Sequence, residues 1–434
     1  MRIFSDLHNH SRHAQACSND LSIQTMEKWA KIKGTDLLGT GDFTHPKWSV
    51  ELKEELTEID NSGIFQTKKG QKFMLQTEIS LIYTDLGRGR KTHNLILCPN
   101  FDVMDQITEY FLSKGRVDYD GRPIFKIPCP QLVEDMRSIS LDIEIIPAHI
   151  WTPWFSLFGS NSGWDSIKDC FKDQVKHIHA LETGLSSDPI MNWRLSQLDN
   201  FNLVSFSDSH SYWPWRYGRE ATIFEVSEEY SYMDIINSIR NREPDGKKGL
   251  VETIEVDPNY GKYHWDGHRK CGIKFSPEQS KKHNRICPIC KSPLTIGVDY
   301  RVEELADRDK GFVKKNAVPF KTVLPLSEVL SNLLNKAVTT KTIWNEYWKL
   351  VADNRSENDI LFRTPYEDLT NITTKQIAEI IIKNRAGEIK VTPGYDGVYG
   401  VPIIGDKVKD NVTAPKDIPK PAEKQMGLQD RFFL

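Results

Sequence analysis

Histidines and carboxylates recur in the first half of the chain, directly after runs that have the composition of β-strands. Residues 3–13 read IFSDLHNHSRH and place His8, His10 and His13 within six positions of a chain that has 12 histidines. Alternate residues of an extended segment point the same way, so His8 and His10 could share one ion. Imidazole together with carboxylate suits Zn²⁺, Mn²⁺ or Fe²⁺. A solvated histidine patch is the alternative interpretation.

Further candidate ligands accompany other predicted strands. They are Asp42 and His45 after DLLGTG, Glu78 after KFMLQT, His93 at the start of NLIL, His149 after IEIIPA, and Asp208 and His210 after NLVSFS. A single histidine at a strand end is most often structural, but repetition at the same topological point predicts one shared centre. This many ligands predicts at least two divalent ions, which would activate water and stabilise a phosphoryl displacement.

The elements that would position these residues alternate between strand and helix up to about residue 226. The segment SIQTMEKWAKIKG (22–34), for example, has its apolar residues on one helical face and stops at Gly34. Such alternation predicts parallel strands joined by crossover helices, and about seven units favour a barrel over an open sheet. In a (β/α) barrel the functional residues lie at strand ends on one face.

A second group of possible ligands lies beyond the predicted barrel. His268 and Cys271 form an HxxC pair, and Cys287 and Cys290 form a CxxC pair after fifteen intervening residues. This spacing predicts a tetrahedral structural Zn²⁺, whereas a CxxC alone could be a redox dithiol. His264 is the reserve candidate for the fourth ligand. Because the segment from 268 to 291 carries seven Lys/Arg against one Glu, the site would fold a small basic module.

The composition restricts the classes of protein to which the chain could belong. The chain has 434 residues, 38% of them hydrophobic, and a formal net charge of −3, which indicates a globular protein of several domains without an overall nucleic-acid signature. No apolar run reaches the roughly 18 residues that span a bilayer, so we expect a cytoplasmic protein and no membrane contact. The predicted divisions are a barrel at 1–240, a zinc-binding module at 250–300, a mostly helical DNA-binding domain at 301–405 and a disordered tail at 406–434.

Four motifs, DLHNHS, GDFTH, PAHIW and SDSH, resemble the polymerase and histidinol phosphatase (PHP) superfamily. The resemblance implies an α/β fold, a distorted (β/α)7 TIM-like barrel with two or three divalent ions (Zn, Mn or Mg) that acts as a phosphoesterase. It implies one ion held by the catalytic residues His8, His10, Glu78 and Asp208. It also implies a second held by Glu78, His93 and His149, and a third by Asp42 or His45 with His210 and His13.

Segments outside those motifs are similar to the endonuclease Q family, and this similarity covers essentially the whole chain. They are LETGLSSDP (181–189), GKYHWDGHRKCG (261–272), YRVEELADR (300–308) and PGYDGVYG (393–400). The resemblance implies a nucleoid-associated DNA repair endonuclease that cuts the phosphodiester 5′ to uracil, hypoxanthine, xanthine or an abasic site, leaving a 3′-hydroxyl and a 5′-phosphate. A PHP-type phosphatase of a small phosphoester and a non-catalytic DNA-binding protein are the alternatives.

An enzyme that inspects a damaged base must turn it out of the duplex into a pocket. The aromatic and polar segment HIWTPWFSLFGSNSGW (149–164) and the turn GLSSDP (184–189) are candidates for that pocket and for a phosphate cradle; packing against the barrel is the alternative. The predicted pocket and DNA-binding residues are Trp151, Trp154, Phe155, Ser160, Asn161, Ser186, Ser187, Lys314 and Lys315.

The last ten residues, QMGLQDRFFL, follow a Pro- and Lys-rich stretch. Gln429, Phe432 and Phe433 fit the bacterial sliding-clamp peptide pattern of Gln, two free residues and two apolar residues. An apolar cluster on a predicted tether is seldom left exposed without a partner. We therefore predict a sliding clamp as a partner, with docking back onto the same chain as the alternative.

Overall fold

A computed structural model describes residues 1–241 and 247–404. The strands are β1 (Arg2–Asp6), β2 (Leu37–Gly39), β3 (Thr57–Glu58), β4 (Phe65–Gln66), β5 (Lys72–Asp85), β6 (Arg88–Cys98), β7 (Ile124–Phe125), β8 (Glu144–Pro147), β9 (Ala180–Glu182), β10 (Asn202–Val204), β11 (Ala221–Glu225), β12 (Gly249–Glu255), β13 (Asp266–His268), β14 (Ile273–Phe275), β15 (Phe320–Thr322), β16 (Val391–Thr392) and β17 (Val401–Pro402).

The helices are interspersed with these strands along the whole described chain. The α-helices are α1 (Ile23–Lys33), α2 (Pro46–Glu55), α3 (Phe101–Lys114), α4 (Cys129–Ile139), α5 (Ile167–Phe171), α6 (Pro189–Trp193), α7 (Tyr232–Arg240), α8 (Pro277–Lys282), α9 (Val298–Leu305), α10 (Leu326–Leu333), α11 (Lys341–Leu350), α12 (Tyr366–Ile372) and α13 (Lys375–Arg385). Short 3₁₀ helices lie at Lys172–His177, Ser196–Leu198, Pro258–Tyr260 and Arg269–Cys271, and one π-helical turn lies at Asp359–Arg363. The fold is therefore mixed α/β.

A large central sheet organises the fold, in the order β15-β12-β11-β1-β2-β5-β4-β3, with β6 pairing with β5 and β8. The pairs β1–β2, β2–β5 and β12–β15 are parallel, but β1–β11, β5–β6 and β6–β8 are antiparallel. β9 and β10 form a separate parallel pair. The expected all-parallel alternation is thus wrong for part of the sheet, because the turn after β5 closes a long hairpin with β6 instead of a helical crossover.

Local signals explain why the first helix forms where the sequence predicts it. The side chain of Ser22 caps α1 by accepting a hydrogen bond from the amide of Thr25, and Gly34 ends the helix with a left-handed backbone of φ +86°. Met26 and Ala30 are buried on the inner face. In contrast, residues 192–201 have similar apolar spacing, but the chain there is helical only to Trp193 and then forms a 3₁₀ turn.

The central sheet includes two strands from outside the predicted barrel domain. β12 lies largely within the range predicted as a zinc-binding module but pairs with β11, and β15 lies within the predicted helical domain but pairs with β12. Helices α10 to α13 enclose an apolar cluster of their own, with Leu330, Tyr347 and Ile381 in its interior. The predicted tail at 406–434, including the clamp-binding residues Gln429, Phe432 and Phe433, lies outside the described residues. No helix in the described chain is long and apolar enough to cross a membrane.

Candidate metal centre

The candidate ligands converge from strands of the central sheet and from the segment after β10, which belongs to the separate β9–β10 pair. His8 and His10 follow β1 directly, His149 follows β8, and Asp208 follows β10 by a few residues. Glu78 and His93 lie inside β5 and β6, which extend to Asp85 and from Arg88. The sequence placed these two at a strand end and a strand start, and the long β5–β6 hairpin is the reason for the difference.

The first donor set consists of His8, His10, Glu78 and Asp208, whose ligand atoms all lie within 4.8 Å of one another. Nε2 of His10 is 3.1 Å from Oδ1 of Asp208 and 3.3 Å from Oε2 of Glu78. Nε2 of His8 is buried and has no hydrogen-bond partner among the described residues, although Asp208 is 3.5 Å away. A buried, unpartnered nitrogen beside two carboxylates is what a divalent cation would complete.

The second donor set uses the other oxygen of Glu78. Oε1 of Glu78 lies 2.9 Å from Nδ1 of His93 and 3.2 Å from Nε2 of His149, and ligand atoms of these three residues all lie within 4.8 Å of one another. Glu78 is fully buried between the two sets. The structure therefore brings together the residues predicted for the first and second ions, with Glu78 shared between them.

Two carboxylates orient the histidines from outside the donor sets. Glu182, at the end of β9, accepts a hydrogen bond from Nδ1 of His8 at 2.8 Å and another from the backbone amide of His149 at 2.6 Å. Asp42 lies 2.9 Å from Nδ1 of His10. Such contacts hold the opposite ring nitrogen toward a metal. The sequence reasoning did not assign Glu182, although it follows the same pattern of a carboxylate at a strand end.

Arg122 is a further buried residue that the sequence reasoning missed. Its Nη1 lies 3.2 Å from Oε2 of Glu78, and the side chain is almost fully buried. The loop that carries Arg122 has no metal-binding motif, so no signal in the sequence could have identified it. A permanent positive charge at this point partly neutralises the shared carboxylate.

The residues predicted for a third ion make other contacts. Asp42 is engaged with His10, and the ring of His45 stacks on His13 with centroids 4.3 Å apart. Nδ1 of His210 lies 3.1 Å from the carbonyl oxygen of Asp208. Within residues 1–241 and 247–404 these side chains do not form a third donor set. Asp42 therefore acts here as a partner of His10, and the third ion stays a prediction.

Protonation differs among the candidate ligands. Burial alone would lower the pKa of His8, His10 and His149, but the neighbouring carboxylates outweigh it and raise each pKa, so a metal ion would have to displace protons from these imidazoles. Burial alone would raise the pKa of Glu78, but contact with His93, Arg122 and His8 outweighs it and holds that pKa well below its usual range. Burial lowers the pKa of His93 to about 3. A carboxylate beside a neutral imidazole is the state that cation binding requires, because protons compete with metals for the same atoms.

Three of the candidate residues have left-handed backbones, which non-glycine residues rarely adopt. The φ angles are +43° at Asp42, +30° at His149 and +45° at Asp208. Gly184 allows close approach at this point, since a Cβ there would lie 2.6 Å from Cβ of His149. Backbone strain of this kind is characteristic of functional sites.

Part of the predicted base pocket is core packing. Trp151 is 1% exposed and its Nε1 donates to Asn192 at 2.8 Å, so it has no face free for a base and its assignment to the pocket is corrected. The amides of Gly159 and Gly163 donate to carbonyl oxygens of the same loop. These amides are therefore not available as the expected phosphate cradle.

The other predicted pocket and DNA-binding residues lie at different depths. Phe155 is partly exposed and its ring centroid is 4.7 Å from that of His93, while Trp154 packs edge-on against Tyr263 at 5.7 Å. The other predicted residues are Ser160 and Lys314, both partly exposed, Asn161 and Lys315, both exposed, and Ser186 and Ser187, both buried. Nζ of Lys314 donates to the carbonyl oxygen of Asp199 at 2.6 Å.

The cysteine segment forms a compact second cluster. Ligand atoms of His268, Cys271, Cys287 and Cys290 lie within 4.8 Å of one another, with Sγ of Cys290 3.3 Å from Nδ1 of His268. Hydrogen bonds from Ser292 lower the pKa of Cys290 to about 6. One HxxC pair and one CxxC pair together supply four N/S donors, which fit a closed tetrahedral site. His264 is buried and does not belong to this group.

Comparisons with known proteins place this geometry in context. Residues 325–388 match the family described as the MJ0043 C-terminal domain. The uncharacterised protein MJ0043 of Methanocaldococcus jannaschii is 34% identical over 286 residues, which cover 66% of this chain but 34% of that relative. The chain thus spans about a third of the length of that relative.

Two solved structures superpose on nearly the whole chain. The lesion-specific endonuclease PfuEndoQ from Pyrococcus furiosus matches with a TM-score of 0.82 and 29% identity, covering 96% of this chain and all of that one. A complex of endonuclease Q with a 27-mer duplex substrate, which has an abasic lesion at the active site, matches with the same score and identity over 95% of this chain.

Proposed function

We propose that this chain, whose structure matches endonuclease Q and whose motifs resemble the PHP superfamily, is a metal-dependent endonuclease that repairs lesion-containing DNA. The observation that carries the proposal is the buried pair of donor sets sharing Glu78, in a fold that superposes on a lesion-specific endonuclease over almost its full length. A small-molecule phosphatase would need only the ligand cluster. The coverage of the match extends to the cysteine segment and the C-terminal helices as well.

The finer proposal concerns the substrate and the products. We propose incision on the 5′ side of uracil, hypoxanthine, xanthine or an abasic site, which leaves a 3′-hydroxyl and a 5′-phosphate. The sequence resemblance to the endonuclease Q family supports this, as does the abasic duplex bound by the structural relative. The protein would act on chromosomal DNA in the cytoplasm.

Each donor set is proposed to hold one divalent ion. His8, His10, Glu78 and Asp208 would hold one divalent ion, and Glu78, His93 and His149 a second. When bound, such ions supply an activated water and neutralise charge on the phosphoryl group. The Asp208 side chain is 30% exposed, whereas His8, His10 and Glu78 are fully buried, so the scissile phosphate would approach from the side of Asp208. Glu182 and Asp42 fix the histidine rings.

Structural zinc is proposed for His268, Cys271, Cys287 and Cys290. These residues would fold the basic module that contacts the DNA backbone together with Lys314 and Lys315. Four protein donors leave no open coordination position, which favours a structural role over a chemical one.

The test uses end-labelled duplexes that are identical except for one uracil, hypoxanthine or abasic site, incubated with Mg²⁺ or Mn²⁺. We expect one cut 5′ to each lesion, none in the undamaged duplex, and loss of cutting in Asp208→Asn. Ligation of the fragments would identify the 3′-hydroxyl and 5′-phosphate ends. Hydrolysis of p-nitrophenyl phosphate with no cutting of any lesion duplex would contradict the proposal and favour a PHP-type phosphatase.

A further inference from the structure

Five aromatic side chains from three separate chain segments form a closed ring of contacts. Trp29 belongs to α1, Tyr212 and Trp213 to the loop after His210, and Trp344 and Trp348 to α11. Successive ring centroids are 5.9 Å apart for Trp29–Tyr212, 4.8 Å for Tyr212–Trp213, 5.5 Å for Trp213–Trp344, 5.6 Å for Trp344–Trp348 and 6.1 Å for Trp348–Trp29. We call this group the aromatic platform.

Packing between α1 and α11 buries some of the platform side chains but leaves others exposed. Trp29 is 6% exposed and forms its floor. Trp348 is 41% exposed, and Tyr212, Trp213 and Trp344 are partly exposed. Several adjoining aromatic rings with open faces form an apolar patch of the kind that marks a binding surface.

The platform lies close along the chain to the candidate metal centre. Tyr212 and Trp213 follow His210 by two and three residues, and the ring of His210 lies 4.5 Å from that of His10. The loop is held in place because Nζ of Lys33 donates to the carbonyl oxygen of Pro214 at 2.9 Å. A strand with its phosphate at the metal centre would therefore pass this surface.

Charge at the border of the platform favours a nucleic acid. Nζ of Lys28 lies 5.9 Å from the centroid of the Trp29 ring, and Lys341 is exposed at the start of α11. Flat aromatic faces with neighbouring cations are the general means by which proteins hold unpaired bases, because every base has a π-face and every nucleotide a phosphate.

We propose that the aromatic platform stacks unpaired nucleobases of the strand next to the incision site. This inference rests on the proposed function, since it assumes DNA at the metal centre. It assigns the platform to strand binding and not to the chemistry, so its loss would weaken the complex without removing a metal ligand.

The test compares two probes: a duplex with a run of unpaired thymines and the same duplex fully paired. Binding is measured in Ca²⁺ with wild type, Trp348→Ala, Trp348→Phe and the control Leu112→Ala, which removes a side chain 55% exposed on α3. For Trp348→Ala we expect about tenfold weaker binding of the unpaired probe, unchanged binding of the paired probe and unchanged metal content. Trp348→Phe should restore most of the affinity.

A second measurement does not depend on any variant. Wild-type protein is irradiated with the unpaired probe carrying 5-iodouracil, and the cross-linked peptide is identified by mass spectrometry. We expect cross-links in 212–213 or 344–348. Cross-links found only elsewhere would overturn the proposal. It would also be overturned if Trp348→Ala bound the unpaired probe as tightly as wild type does.

The outcomes separate this inference from the proposed function. If wild type cuts lesion duplexes but Trp348→Ala binds the unpaired probe normally, base stacking by the platform is wrong and the proposed endonuclease function is supported. If wild type cuts no lesion duplex, yet Trp348→Ala loses affinity only for the unpaired probe, the proposed reaction is wrong and base stacking by the platform is supported.

Discussion

Glu182 lies 2.8 Å from Nδ1 of His8, a residue 174 positions away in the sequence. The same carboxylate accepts the backbone amide of His149, so one side chain supports a histidine of each donor set. A neutral amide in its place would keep the shape but weaken both contacts, because hydrogen bonds to an ionised acceptor are stronger.

Glu182→Gln should lower metal affinity or activity by about 10- to 100-fold, the usual cost of losing an orienting partner. Metal content by mass spectrometry and single-turnover cutting of an abasic duplex measure the two effects. Glu144→Gln is the matched control, because Glu144 lies 2.8 Å from Nδ1 of His179 outside both donor sets. Unaltered metal affinity and rate in Glu182→Gln would show that His8 needs no such support.

The ion pair of Lys33 with Glu357 should stabilise the contact between α1 and the C-terminal helices. Nζ of Lys33 lies 2.7 Å from Glu357, and their side chains are 2% and 0% exposed; Tyr347 also donates to Glu357 at 2.7 Å. Lys33→Met leaves a buried charge unpaired and should cost about 3–5 kcal/mol. Denaturant unfolding measures this change in free energy.

The exposed pair Lys53–Asp105 supplies the comparison. Its separation is also 2.7 Å, but the side chains are 40% and 47% exposed, so Lys53→Met should cost about 0–1 kcal/mol. The double variant Lys33→Met/Glu357→Met should recover part of the loss, because no buried charge remains. Similar costs for Lys33→Met and Lys53→Met would refute the role of burial.

Glu255 should make stability depend on pH. Burial raises its pKa to about 8, against hydrogen bonds from Thr253, Thr183 and Ser205 that lower it. The folded state then holds a proton that the unfolded state releases above its ordinary pKa, so stability is full below about pH 4.5 and falls as pH rises to about 8. The loss should be on the order of a few kcal/mol.

Glu255→Gln checks this pH dependence, because an amide cannot titrate. The melting temperature of the variant minus that of wild type should increase from pH 5 to pH 8.5. Glu220 is a buried neighbour whose pKa is also raised, by burial and by the charge of Glu255, so Glu220→Gln should reduce the same slope. Parallel pH curves for Glu255→Gln and wild type would disprove the prediction.

Cys290→Ser should remove one zinc per chain. Cys290 is exposed at the edge of its cluster, and its lowered pKa favours the thiolate that binds metal. We expect weaker, less salt-dependent DNA binding, because the basic module loses its closed site. Zinc content and binding at two salt concentrations measure this, with Cys98→Ser, a buried cysteine outside the cluster, as the control. A full zinc complement in Cys290→Ser would rule out this residue as a ligand.

Deletion of residues 425–434 should abolish capture by a bacterial sliding clamp and leave cutting of short oligonucleotides intact. The reason is that Gln429, Phe432 and Phe433 carry the clamp pattern, whereas the ligands lie far upstream in the sequence. Replacing only Phe432 and Phe433 by Ala should have the same effect. If deletion impaired cutting as well, the peptide would instead contact its own chain.

The recurrence of histidines and carboxylates after predicted strands indicated one shared metal centre. His8, His10, Glu78 and Asp208 meet as the resemblance to the PHP superfamily implied. His8, His10 and Asp208 follow strand ends, whereas Glu78 lies inside β5. The same reasoning could not find Arg122, since its loop has no period and its partner is 44 positions distant.

In the predicted base pocket, the burial of each aromatic side chain could not be predicted from the sequence. Trp151 and Trp348 are both tryptophans in aromatic segments, but one is 1% and the other 41% exposed. A sequence records which side chains are aromatic, whereas burial depends on packing between segments that are remote along the chain. The antiparallel β5–β6 hairpin was missed for a similar reason, because Gly87 and its neighbours give no sign of the strand length on either side.

The sharing of Glu78 limits how the two donor sets can be dissected. Any substitution there alters both sets at once, so a variant at this position cannot reveal which ion performs which task. His93 and Asp208 belong to one set each, and their single and double variants offer the separable route. Because both donor sets include the same carboxylate, the effects of the two substitutions should be strongly epistatic.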